Sequence, residues 1–86
     1  MDKEFLAEML ERYYKHLETV VTAINGNIKN YEKSINELTR LAEFKPGVYQ
    51  KQLDEMKQKV VEADIKLSHV VPRMEKMLEQ LEILKQ

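Results

Sequence analysis

Eleven residues in the second half of the chain, Tyr49, Leu53, Met56, Val60, Ala63, Leu67, Val70, Met74, Met77, Leu81 and Leu84, recur at alternating steps of four and three. That spacing is the seam of a coiled-coil helix. A strand would need apolar residues at period two, and no stretch holds that alternation for long. The first half repeats the pattern with Leu6, Leu10, Tyr13, Leu17, Val20 and Ile24, then Ile28, Tyr31, Ile35, Leu38 and Ala42. The join from Ile24 to Ile28 is a second consecutive step of four, a stutter that relaxes a supercoil without ending the helix.

Asn25-Gly26 lies in that join, although Asn-Gly is one of the strongest turn dipeptides. A chain reversal there would leave the apolar phases on its two sides unrelated. Instead the phase resumes after one helical step, so the spacing predicts a continuous helix. Gly26 then costs about 1 kcal/mol relative to Ala. The break belongs at "EFKPGV", residues 43–48. Pro46 disfavours helix at Lys45 and suits the first turn of the next helix, and Gly47 adds flexibility.

One domain, 1–86, is expected: helix 1 over about 2–44, a turn at about 44–47, and helix 2 over about 47–86. Pro72 falls on the outer face of helix 2 and is expected to kink it. Asp2 can cap helix 1, with Glu4 adding negative charge to the first turn. Glu8 with Arg12, Glu11 with Lys15, Glu55 with Lys59 and Glu62 with Lys66 are spaced for helix-surface ion pairs.

The two seams also match each other. In an antiparallel hairpin, facing residues keep a constant sum of residue numbers. Ala42 with Tyr49, Leu38 with Leu53, Ile35 with Met56, Tyr31 with Val60, Ile28 with Ala63 and Ile24 with Leu67 all do so. Leu17 with Met74 and Leu10 with Leu81 continue the series, and Val20 with Val70 falls one short. The fold expected is therefore all-α, a long antiparallel, coiled-coil-like hairpin. With 86 residues its own core is small, and dimerisation into a four-helix bundle is the simplest completion.

Apolar residues outside the seam point the same way. Phe5, Met9, Tyr14 and Val21 on helix 1, with Val71 and Leu78 on helix 2, widen the stripe toward the open end of the hairpin. Val61 and Ile65 lie one turn apart further out. Two helices can bury only their facing stripes, so these eight residues are the candidate partner-binding set. Met9, Met74 and Met77 suit an adaptable docking surface. Leu41, Phe44 and Ile83 are further apolar residues off the seam.

Chemistry is harder to place. Without cysteine, thiol catalysis, disulfides and thiolate metal sites are excluded together. His16 and His69 fall at different levels of the hairpin, and a zinc site needs at least three protein ligands. Ser34 and Ser68 have no His one helical turn away to activate them. No Gly-rich phosphate loop is present. No enzyme activity, cofactor or metal is expected.

Function is expected to lie in binding: a small regulator, inhibitor, adaptor or chaperone that docks helices on a second copy, on another helical protein, or on both. No apolar run approaches the roughly 20 residues that span a bilayer. The acidic, amphipathic N-terminus lacks the pattern of a signal peptide, and a cytoplasmic location is the expectation. In length and central turn the chain resembles the Trp-x-Gly family of secretion substrates, with "FKPG" where that family places Trp-x-Gly and no Trp present. That resemblance implies a secreted helical hairpin as the alternative reading.

A second alternative is an RNA-binding hairpin dimer similar to the plasmid protein Rop, using Lys29, Lys33, Lys57, Lys59 and Lys66. Against it, residues 29–66 carry eight basic and seven acidic residues, interleaved rather than gathered in a basic stripe.

Overall fold

The computed structural model describes residues 2–86. It contains two helices, α1 (Lys3–Phe44) and α2 (Gln50–Lys85), packed against each other as an extended hairpin with no strand among the described residues. The hairpin measures 64 × 16 × 15 Å.

α1 begins where Asp2, in an extended conformation, accepts a hydrogen bond at Oδ1 from the Glu4 backbone N–H at 3.2 Å. It then runs unbroken through Asn25 and Gly26. Gly26 has no positive φ, and a Cβ placed on it would meet nothing within 4 Å. Thr19, Thr22 and Thr39 donate their hydroxyls to the carbonyls of Lys15, Glu18 and Ile35 one turn earlier. Those bonds satisfy hydroxyls that would otherwise compete with the helix.

The reversal occupies residues 45–49, and α2 begins at Gln50 rather than near residue 47. Pro46 therefore lies in the turn, not in the first turn of α2 as its helix-start preference predicts. The backbone N–H of Val48 donates to the Lys45 carbonyl at 3.4 Å, and Gly47 has φ 84°. A bond closing four residues around Pro-Gly, with positive φ at the Gly, is the pattern of a type II turn. The local turn satisfies the proline better than the helix start does.

The two glycines thus play opposite parts. Gly26→Ala is expected to stabilise the protein by up to about 1 kcal/mol, because Ala has the better helix propensity and the site is open. Gly47→Ala is expected to destabilise by about 1–2 kcal/mol, because its φ is left-handed. Thermal unfolding of the two variants should shift the midpoint in opposite directions. A lowered midpoint for Gly26→Ala would refute the continuous helix.

α2 remains one helix through Pro72. The missing N–H leaves the Ser68 carbonyl without its helical donor. Both residues are exposed, so water can replace that bond.

Burial follows the seam closely on α2: the eleven residues named above are the only ones from Tyr49 onward that are not exposed. On α1 the structure corrects the sequence pattern. Tyr13 is 45% exposed, whereas Tyr14 is half-buried, and Val21 is covered as well as Val20. Ala7, passed over for its size, is also half-buried. The α1 seam is Ala7, Leu10, Tyr14, Leu17, Val21, Ile24 and onward, in unbroken steps of three and four. The stutter disappears, and the constant sum extends through Val21 with Val70, Tyr14 with Met77 and Ala7 with Leu84.

The core is thin. Leu17, Leu53, Ala63 and Leu81 are the buried residues, and none of the described side chains is fully enclosed. The accessible surface is 6954 Å², against about 5,300 Å² expected for a compact protein of this mass. The radius of gyration is 19.3 Å, against about 12 Å for a compact chain of this length.

Candidate interaction surfaces

An antiparallel hairpin has two long flanks, one on each side of its seam, and each flank takes one row of residues from each helix. On the first flank, α1 contributes Leu6, Tyr13, Val20, Asn27, Ser34 and Leu41, a row without a formal charge. α2 contributes Gln52, Lys59, Lys66, Arg73 and Gln80, a row with three basic residues and no acidic one. Two grooves show these rows side by side. One, of about 340 Å³, is lined by Leu6, Leu10, Gln80, Ile83 and Leu84 at the open end. The other, of about 230 Å³, is lined by Ile24, Asn27, Tyr31, Lys59, Glu62, Ala63 and Lys66. In the latter the Lys59 ammonium lies 5.7 Å from the centre of the Tyr31 ring, a cation–π arrangement.

The second flank distributes charge differently. Its α1 row is Glu4, Glu11, Glu18, Asn25, Glu32 and Thr39, with four acidic residues and no basic one. Its α2 row is Gln50, Lys57, Asp64, Val71, Leu78 and Lys85, of mixed character, with Val61 beside it. Lys85 closes an ion pair with Glu11 at 3.3 Å across this flank. The four ion pairs expected along the helices, Glu8/Arg12, Glu11/Lys15, Glu55/Lys59 and Glu62/Lys66, are not closed among the described residues. Such exposed pairs stabilise by only a few tenths of a kcal/mol, too little to immobilise two long side chains. Glu11 is turned instead toward the neighbouring helix.

The candidate partner-binding residues divide accordingly. Tyr14 and Val21 belong to the seam and are half-buried, so they do not form an outer docking surface. Their neighbours qualify better: Tyr13 is exposed and stacks on His16, with ring centres 6.5 Å apart. Phe5 and Met9 are about half exposed at the open end. Val61, Val71 and Leu78 are exposed on the second flank, while Ile65 lies further round, on the back of α2.

Two of the eight candidates thus fall in the seam, and the other six on two opposite flanks and the backs of the helices rather than on one patch. Tyr13 was hidden in the sequence because it stands next to Tyr14 and either can continue a step of three or four. At the turn end Leu41, Phe44 and Val48 are exposed as well.

Among the described residues no group of three or more His, Cys, Asp or Glu side chains is placed to hold a metal ion. Nor is any helix among the described residues long and apolar enough to cross a membrane. Comparison with protein families, with curated proteins and with solved structures finds no match to this chain.

Proposed function

We propose that this chain is a non-catalytic protein–protein interaction module, a small cytoplasmic regulator or adaptor that presents helix flanks to a helical partner. One observation carries the reading. Its own core buries four side chains, while Phe5, Met9, Tyr13, Val61, Ile65, Val71 and Leu78 stay 39–53% exposed. Apolar surface left in water is unfavourable by about 25 cal/mol per Å², and rows of it along a helix fit another helix. Exposed aromatic side chains are common anchors of such contacts.

The test is affinity capture from the native host, comparing the wild type with Phe5→Ala/Tyr13→Ala and with Lys57→Ala/Lys59→Ala. The aromatic pair is expected to lower partner retention at least tenfold, since an anchor contributes about 2 kcal/mol. The lysine pair is expected to change it little. RNA retained through high salt, with the lysines essential and the aromatics dispensable, would replace this reading with a nucleic-acid one.

A further inference from the structure

We infer that the open half of α1 carries a second seam, and that its occupant is the same segment of a second copy, paired antiparallel in a weak two-fold dimer. The inference rests on the interaction-module reading and names the surface and the partner.

Every seam residue of α1 from Ala7 to Ile24 is preceded by another small, apolar or ring-bearing residue. Leu6, Met9, Tyr13, His16, Val20 and Ala23 keep the same steps of three and four, one residue out of phase. They form a stripe about 100° round the helix from the first. It contains no Asp, Glu, Lys or Arg. Leu6 and Val20 are half-buried, whereas Met9, Tyr13, His16 and Ala23 are exposed. The two stripes lie side by side, which is why Tyr13 and Val20 pass for seam residues in the sequence.

The stripe matches itself when reversed. Paired antiparallel at a constant sum of residue numbers, Leu6 meets Ala23, Met9 meets Val20 and Tyr13 meets His16 of the second copy. Each pair occurs twice about the two-fold axis. Every layer sets a larger side chain against a smaller one. Tyr13 and His16 already stack within one helix at 6.5 Å, so four rings gather at the axis. On the outer rim of the stripe, Arg12 falls beside Thr19 and Phe5 beside Gly26 of the second copy. Gly26 has open space where a side chain would stand, which leaves room for the exposed Phe5 ring.

Polar residues fix the register. Beyond Ala23 the stripe continues as Asn27, Asn30 and Ser34. Overlap along the whole of α1 would lay Val20 and Ala23 on those two amides and strip them of water. It would also set Lys59 of α2 level with Arg73 of the second copy, and Lys66 level with itself, opposing like charges. In the shorter overlap Arg73 comes level with Gln80, and Lys59 and Lys66 lie beyond the end of the second copy. Because the second stripe is turned about 100° from the first, the two α2 helices splay apart and Arg73 keeps its water. The overlap covers residues 3–26 of α1, about 36 Å at 1.5 Å per residue. Across one helix width of about 10–12 Å it buries about 400 Å² per copy, the size of a weak, reversible contact.

Sedimentation velocity across a concentration series tests the pairing. The wild type is expected to be a monomer at low micromolar concentration and a dimer, with nothing larger, at hundreds of micromolar. Met9→Glu/Tyr13→Glu is expected to weaken the dimer at least about a hundredfold. Val71→Glu/Leu78→Glu, on the second flank, should leave it unchanged. All four side chains are exposed, so both variants should stay helical by circular dichroism.

A nitroxide on Lys29→Cys, an exposed position in a chain without cysteine, reports the register. Paired open halves hold the two labels about 44 Å apart along the helix axes. Parallel or full-length pairing would bring them far closer. A short label distance, species larger than a dimer, a dimer that survives Met9→Glu/Tyr13→Glu, or a wild type monomeric at hundreds of micromolar overturns the second seam. A monomeric wild type that still captures a helical protein through Tyr13 would overturn the dimer while leaving the interaction-module reading intact.

Discussion

Leu17→Ala is expected to lower the free energy of unfolding by about 2–4 kcal/mol, measured by urea denaturation at a concentration where the chain is monomeric. Leu17 is 7% exposed and lies near the middle of the open half of the seam. Truncation removes its buried apolar surface and leaves a cavity between two helices that cannot close without shifting the seam on both sides. An 86-residue domain has about 4–13 kcal/mol of stability in total, so this loss is a large fraction of it. Ile83→Ala is the matched control. Ile83 is 66% exposed, and its truncation is expected to stay within about 0.5 kcal/mol. Equal losses at the two positions would show that the seam is not where stability resides.

Tyr14→Asp is expected to destabilise by about 2 kcal/mol or more, while Tyr13→Asp stays near zero. The two residues are adjacent and identical, so composition and propensity cancel and the comparison isolates position. Tyr14 faces α2, where a carboxylate would lose its water without gaining a partner. Tyr13 is 45% exposed, where a carboxylate keeps its hydration. Thermal unfolding should separate the variants by roughly 8 °C or more, at the 4–8 °C per kcal/mol of a domain this small. The reverse order would restore the stuttered seam through Tyr13 and Val20, and with it Tyr14 as an outer anchor.

Misassigning Tyr13 carried over into the docking surface. With Tyr13 in the seam, Tyr14 and Val21 read as outer residues and the open end looked broadly apolar. In the structure the excess apolar surface is divided among both flanks and the backs of the helices, with Tyr13, Leu41 and Ile83 on the first flank, Val61, Val71 and Leu78 on the second, and Phe5 and Ile65 on the backs. Of the candidate residues, Phe5, Met9, Val61, Ile65, Val71 and Leu78 are placed outside the seam as their spacing predicts. The charge rows were legible only once the register was known. A row of Glu4, Glu11 and Glu18 is visible as a repeat of seven, but its side of the hairpin depends on which residues face the partner helix.

What the sequence determined alone was every feature carried by local chemistry or by a long repeat. These are two helices, their antiparallel pairing, a reversal within the stretch 43–48, the Asp2 cap, and the passage of α1 through Gly26. Each rests on several residues that agree, so an error at one position is outvoted.

Only the tertiary structure decided between neighbours that satisfy the pattern equally well: Tyr14 over Tyr13 for the seam, the inclusion of Ala7, the start of α2 at Gln50, and the pairing of Glu11 with Lys85 instead of Lys15. Adjacent residues on a helix point about 100° apart. A local pattern allows either of two apolar neighbours to face inward, and the surface of the opposite helix selects one because only that choice keeps all the facing pairs in step.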